Sequence, residues 1–238
     1  MKAYIPVHLM QYVFDEKITQ LFRSFVFLKY HSGNGILNVD RESRSKLAKI
    51  LKVDEKTIRR HLQALFEMGW IGLDNNNRAF VRGWYQLSER IGLTFTIRVE
   101  FQLDYMTKTE WRGYLMGSIV GRLVRLKQAI HYREGHKNGC SALSRQLYFP
   151  FSCRLVSKIT NISKTRANNY LRAAVSFNYL SLKPGRLQPT KADPTFIKQL
   201  EKQWQSGEPF PKIVKGKVYL KHPDEFCSLL HYKQARYS

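Results

Sequence analysis

One local pattern occurs twice in the chain, 109 residues apart. The first copy runs from Leu47 to Asp54, then Glu55 to Met68, then Gly69-Trp70-Ile71-Gly72-Leu73. The second runs from Val156 to Ser163, then Lys164 to Phe177, then Asn178-Tyr179-Leu180-Ser181-Leu182. Each predicts a short helix, a turn of three or four residues, a longer helix and the start of an apolar strand. The second copy lies within a 58-residue stretch, Gly135 to Ala192, that holds ten Lys or Arg and no Asp or Glu. Two helices on a tight turn must pack their apolar stripes together and leave an opposite face outward. In both copies that outward face is basic.

The charge extends to the whole chain. With 40 Lys and Arg against 18 Asp and Glu, the formal net charge is +22. A balance that basic repels itself unless a polyanion neutralises it. DNA, RNA and an anionic membrane surface all qualify. A membrane span is excluded because no run approaches the ~18 apolar residues that one requires. The N-terminus, Met1 to Val13, alternates at Ile5, Val7 and Leu9 instead of forming a continuous signal core. At 43% hydrophobic and 13% aromatic residues the chain is no disordered tail. Its 238 residues suffice for one large or two small domains. Cys140, Cys153 and Cys227 are odd in number and far apart, which suits a reducing cytosol better than a disulfide framework.

Along the chain, Glu16 to His31 predicts a helix with Ile18, Leu21, Phe22, Phe25, Val26 and Leu28 on a broad apolar face. Ile36, Leu37 and Val39 predict a short strand. Arg44 to Leu51 predicts a helix that buries Leu47, Ile50 and Leu51. Asp54 stands where an N-cap belongs, and Ile58, Leu62 and Leu65 form the buried stripe of the next helix. Gly69 falls where a left-handed residue ends a helix. Trp70 to Leu73 and Ala79 to Trp84 read as two strands around Asp74-Asn75-Asn76-Asn77. Thr94 to Leu103 alternates and predicts a half-buried strand. Thr107 to Glu110 is a capping box opening a helix to about His131, with Leu115, Ile119, Leu123, Leu126 and Ile130 buried. Gly113, Gly117 and Gly121 share one face of that helix. They fit a close intramolecular contact, and alternatively a homodimer seam. Lys183-Pro184-Gly185-Arg186 reads as a tight turn, Pro194 to Gln205 as a helix, Ile213 to Leu220 as a hairpin, and Pro223 to Leu230 as a last short helix.

The order helix, strand, helix, turn, helix, hairpin resembles the winged helix-turn-helix superfamily over roughly residues 16–84 and again over 112–189. The expected class is α+β, mainly α: tandem winged helix-turn-helix domains with a short C-terminal α/β extension. The expected divisions are a first winged-helix domain at 1–90, a linker strand at 91–106, a second domain at 107–192 and a basic extension at 193–238. The resemblance implies binding of double-stranded DNA, with one helix of each copy placed in the major groove.

On the first such helix the outward residues are Lys56, Arg59, Arg60 and Gln63, with Thr57 near its start. Arg can pair with guanine and Gln with adenine through two hydrogen bonds each. Arg41, Arg44 and Lys49 lie on the preceding segment, where contacts to phosphate position the protein. On the second helix the core stripe is Ala167, Leu171, Ala174 and Val175. Its outward set is Arg166, Asn168, Asn169 and Arg172. Lys158, Lys164 and Thr165 are assigned to phosphates. Asn161 occupies a turn position suited to left-handed backbone, where the first copy has Lys52. Arg78 in the first wing, and Lys183 and Arg186 in the second, suit a narrow minor groove, and a plain hairpin turn explains them equally.

No catalytic constellation emerges. There is no phosphate-binding glycine loop, and acidic residues are scattered. His131, His136 and Cys140 lack a fourth zinc ligand. Tyr232 and Tyr237 lack an activating base. No cofactor, metal or enzyme activity is expected. The expectation is a cytoplasmic, nucleoid-associated DNA-binding protein, either a transcription regulator or a replication initiator, of a phage, plasmid or other mobile element. The arrangement is similar to that of the initiators of theta-replicating plasmids. The alternative is a structural or RNA-binding nucleoprotein component, which would expose aromatics for stacking on bases.

Overall fold

Asp40, Asp54, Ser152 and Ser163 each accept a hydrogen bond from the backbone N–H three residues on, and each opens a helix of the repeated pattern. A side-chain oxygen there satisfies a donor that the helix itself cannot. The computed structural model describes residues 2–32, 35–76, 78–94, 97–102, 106–137, 147–189, 210–214 and 217–234. Two compact units emerge, Met1–Leu115 with His231–Ser238, and Met116–Leu230.

In the first unit β1 (Lys2–Pro6) leads into α1 (Val7–Asp15) and α2 (Thr19–His31). Then come β2 (Ile36–Leu37), α3 (Arg41–Leu51), α4 (Glu55–Glu67), β3 (Ile71–Leu73), β4 (Ala79–Val81), α5 (Trp84–Ile91) and β5 (Ile97–Gln102). Helix α6 (Lys108–Lys137) begins in the first unit and ends in the second. The second unit continues with β6 (Phe149–Pro150), α7 (Cys153–Ile159), α8 (Lys164–Ser176), β7 (Leu180–Lys183), β8 (Leu187–Pro189), β9 (Phe210–Val214), β10 (Lys217–Lys221) and β11 (Glu225–Ser228). Strand β12 (Tyr232–Gln234) belongs again to the first unit. The class is α+β, with eight helices and small antiparallel sheets among the described residues. No helix among these is long and apolar enough to cross a membrane.

The two copies repeat their backbone bonding as well as their residues. Lys52 and Asn161 both adopt left-handed backbone at φ 48°. Val53 N–H then bonds Ala48 O at 3.0 Å, and Ile162 N–H bonds Ser157 O at 3.2 Å. At the far end of the longer helix Gly69 (φ 66°) and Asn178 (φ 58°) are left-handed as well. Trp70 N–H reaches Leu65 O at 2.8 Å, and Tyr179 N–H reaches Ala174 O at the same distance. The lysine at the first turn thus takes the same shape as the asparagine at the second. Nearby, Arg23, only 2% exposed, donates to Leu51 O at 3.3 Å and to Met106 O, closing the carboxyl end of α3.

Burial follows the stripes of the two longer helices: Ile58, Leu62 and Leu65 on α4, and Ala167, Leu171, Ala173 and Ala174 on α8, are buried, whereas Val175 is half-buried. The first core centres on Trp70, whose ring meets Phe25 at 5.0 Å and Phe22 edge-on at 6.1 Å. Trp111 on α6 packs on Phe22 and donates Nε1–H to Thr19 O at 2.8 Å. The capping box is reciprocal, Thr107 N–H to Glu110 Oε2 at 3.3 Å and Glu110 N–H to Thr107 Oγ1 at 3.1 Å.

Several expectations are corrected. The alternation at the N-terminus holds only over β1, because Val7, Met10, Val13 and Phe14 fall on helical spacing and line one face of α1. Lys17, left-handed at φ 59°, separates α1 from α2, so the helix begins at Thr19. Trp84 ends no strand and opens α5. Ile50, Leu126 and Ile130 are exposed at 36%, 44% and 53% instead of buried. The strand expected within 91–106 is present as β5, and it pairs with β1 on one side and β12 on the other, all within the first unit. Phe95 and Leu103 of that expected strand, and the expected helix Pro194 to Gln205, lie outside the described residues.

Sheets β2-β4-β3 and β6-β11-β7 are alike in strand order, yet the second takes its central strand from far along the chain. Residues 223–230 were expected to be helical, but Glu225–Ser228 instead pair with Leu180–Lys183 on one side and Phe149–Pro150 on the other. The segment after the second copy is therefore no two-strand hairpin turning at Lys183 to Arg186. Leu180 faces Ser228 and Lys183 faces Glu225, and the same register resumes where Leu187 faces Lys221 and Pro189 faces Tyr219. The result is one long ribbon with a break at its middle. Gly185 sits at the break because a Cβ there would fall 1.9 Å from His222 O. The expected hairpin of β9 and β10 is present, with its turn outside the described residues.

A Cβ on Gly117 would lie 2.7 Å from the Tyr179 Cβ and 3.5 Å from the Ala174 Cβ. At Gly117 the close contact is thus intramolecular, and a second copy has no access. Gly117→Ala should lower stability by about 1–3 kcal/mol through overpacking, against a helix-propensity gain of about 1 kcal/mol. Urea unfolding reads the sign, and a stabilised variant would refute the contact.

Ser24 Oγ lies 2.7 Å from His61 Nδ1. Burial, the largest effect, pushes the His61 imidazole below its ordinary 6.5, aided by Lys108 and opposed by Asp54. The unfolded chain then takes up the proton first, so this contribution is intact above the ordinary value and lost as pH falls. Thermal unfolding should show a loss between about pH 7 and pH 5 that His61→Gln flattens. An equal slope in the variant would clear His61 of the effect.

Candidate nucleic-acid interface

With Ile58, Leu62 and Leu65 turned inward, helical geometry puts Lys56, Arg59, Arg60 and Gln63 outward on α4, and all four are exposed. The same holds for Lys164, Thr165, Arg166, Asn169 and Arg172 on α8. On the preceding helices Arg41, Lys49 and Lys158 are exposed too. No hydrogen bond or ion pair engages the side chains of Arg41, Lys49, Lys56, Arg59, Arg60, Lys158, Lys164, Arg166 or Arg172 among the described residues. Each unit therefore carries its own set of uncommitted cations around one helix, and the second adds the exposed amide of Asn169.

Other assigned residues are committed within the protein. The Thr57 hydroxyl donates to Asp54 Oδ2 at 3.0 Å, and its backbone N–H to Oδ1, so it completes the cap of α4 instead of waiting for a phosphate. That backbone hydrogen bond is the main reason the Asp54 carboxyl lies below its usual range, with Arg60 a smaller cause. Arg44 is half-buried and donates Nη1–H to Val39 O at 2.5 Å. Gln63 donates Nε2–H to Glu67 Oε1 at 2.9 Å. Asn168 is half-buried, with its Oδ1 3.7 Å from the Cys153 thiol, and does not share the outward face of Asn169.

The two segments expected to be wings are held by acidic residues. Asp74 accepts from the Asn76 and Arg78 backbone N–H groups at 2.9 and 2.8 Å, and pairs with Arg78 Nε at 2.8 Å. These contacts, led by the Arg78 N–H, hold its carboxyl below the usual range. Arg78 is thereby the lock of a turn, as a plain hairpin requires. On the ribbon Lys183 pairs with Glu225 at 3.0 Å, and Asp224 accepts from Gly185 N–H at 3.0 Å. Arg186 is exposed along a cleft of about 570 Å³ bounded by Lys183, Leu187, Gln188 and His222.

Some residues of this surface were not anticipated. Arg154 stands one turn before Lys158 and is exposed beside it, a spacing of four that the sequence displays. Lys212 and Lys217, exposed on β9 and β10, join the ribbon only through a pairing no local pattern announces. Arg82 and Arg90 donate Nε–H to Gly69 O at 2.7 Å and to Met68 O at 3.0 Å, serving the carboxyl end of α4. Among the described residues no three His, Cys, Asp or Glu side chains gather as a metal site. The His131 ring meets Phe149 at 6.3 Å, while the side chains of His136 and Cys140 lie outside the described residues. Compared with family models, with curated proteins and with solved structures, the chain matches none.

Proposed function

We propose that the chain is a sequence-specific double-stranded DNA-binding protein made of two winged-helix units, with α4 and α8 as the helices that enter the major groove. The observation carrying this reading is the recurrence of one backbone frame, turn by turn, with uncommitted cations on the same outward face each time. A groove about 12 Å wide accepts a helix of that kind, and phosphates on either side accept the flanking lysines and arginines. The strand orders β2-β4-β3 and β6-β11-β7 support the winged form, since each sheet sets one strand against the longer helix, β3 on α4 and β7 on α8. We read the protein as a binding protein and not an enzyme. Transcription regulation and replication initiation on a mobile element both fit, the second by likeness of architecture to theta-plasmid initiators.

An RNA-binding role is less well supported. Stacking on unpaired bases needs a platform of exposed aromatic faces. Trp70, Trp111, Phe22, Phe25, Phe27, Phe101 and Tyr114 are buried, and the exposed Tyr85, Tyr132 and Phe177 sit singly on α5, on α6 and at the end of α8.

Duplex affinity should fall roughly 10³-fold or more between about 50 and 200 mM salt if six or more phosphates are met. Arg60→Ala and Arg172→Ala should each weaken a selected site by about 1–3 kcal/mol and random duplex by less. Fluorescence anisotropy across a salt series measures both. A flat salt response would remove the electrostatic mode, and equal losses on every sequence would reduce the two arginines to phosphate contacts.

A further inference from the structure

The repeated frame permits a comparison position by position. Because caps, turns and helix ends coincide at one offset, Arg60 on α4 occupies the place of Asn169 on α8, and Gln63 the place of Arg172. All four are exposed on the face opposite the buried stripe. Their chemistry is reversed. Arg60 offers donors only, which match the O6 and N7 acceptors of guanine, whereas Asn169 offers a donor and an acceptor, which match N7 and N6 of adenine. One turn later the roles exchange. Gln63, with one Nε2 hydrogen held by Glu67 at 2.9 Å, keeps its carbonyl oxygen and second Nε2 hydrogen for N6 and N7 of adenine, whereas Arg172 again offers donors only.

The residue equivalent to Glu67 is Ser176, whose hydroxyl turns back to Ala173 O at 3.0 Å. The carboxylate that aims Gln63 therefore has no counterpart on α8. The difference between the two helices lies in the outward side chains and not in the backbone that carries them. Lys56 against Thr165 continues the contrast at the start of the helices, a cation in one copy and a neutral hydroxyl in the other.

We infer that the two units read unlike half-sites with the purine order reversed. In one, guanine meets Arg60 and adenine meets Gln63; in the other, adenine meets Asn169 and guanine meets Arg172. The target is then neither a repeat nor a palindrome, and it gives a bound protein a unique direction on DNA. This inference rests on α4 and α8 being the groove-entering helices. Exchanging either purine at any of these positions should weaken binding roughly 5- to 140-fold.

The test is selection from a random duplex pool with the full chain, followed by sequencing. The wild-type protein should enrich a two-part site with unlike halves. The double variant Arg60→Asn with Gln63→Arg should convert one half to the pattern of the other and leave the second half unchanged. The reciprocal variant, Asn169→Arg with Arg172→Gln, should alter only the second half, so a folding defect in one variant does not remove the test. Two identical wild-type halves, or unchanged preference in both variants, would overturn the inference while leaving DNA binding in place. No enrichment by the wild-type chain would overturn the DNA-reading assignment itself, and this inference with it.

Discussion

The left-handed turn between each helix pair is the constraint on which the rest depends. At Lys52 and at Asn161 the chain reverses within a few residues, closed by a backbone bond to the carbonyl five residues earlier. A non-glycine residue in this conformation costs roughly 1–2 kcal/mol, so the surroundings must hold it. In the first unit Arg23 does part of this by donating to Leu51 O, the last carbonyl of α3. Asp54 and Ser163 do the rest from the other side by capping the helix that follows. Once the turn is set, the apolar stripe of α4 or α8 can point only at its own core. The basic face then has only the outside left to it.

That arrangement turns the excess of positive charge into a property of particular surfaces. Acidic residues of the described chain often serve local geometry. Asp40 and Asp54 cap helices, Asp74 closes the turn between β3 and β4, and Asp224 and Glu225 hold the break in the ribbon. Carboxylates engaged in that way do little to neutralise the cations on the outward faces of α4 and α8. Helices α3, α4, α7 and α8 together carry a formal charge of +9 out of the chain's +22, for which a polyanion is the natural complement.

How much could be read without coordinates depended on how local each interaction was. Asp54, Gly69, Asn161, and Thr107 with Glu110 act within five residues, so their roles were legible as spacing. The stripe of Ile58, Leu62 and Leu65 was legible for the same reason. Phe226 was not: it belongs to β11, whose partners lie some 45 and 75 residues back, and a short apolar run cannot announce which strands it will join. Leu126 and Ile130 kept a helical period but fall on the outer side of α6, whose inward positions there are Lys127 over Phe151, Gln128 donating to Leu147 O, and His131 against Phe149. At the interface the outward position of Arg59, Arg60, Asn169 and Arg172 followed from periodicity. The diversion of Arg44, Thr57, Gln63, Arg78 and Asn168 into protein contacts did not, because each depends on a neighbour's side-chain conformation rather than on its own place in the helix.

Lysine footprinting by amine modification and mass spectrometry, with and without duplex DNA, tests the account most directly. It reads contact at individual side chains in the intact chain. The account requires Lys49 and Lys56 in one unit, and Lys158 and Lys164 in the other, to lose reactivity together when duplex is added. Lys29, whose amine already donates to Arg82 O at 2.8 Å, should react alike in both states. Unchanged reactivity at all four interface lysines, with protection elsewhere on the chain, would contradict it.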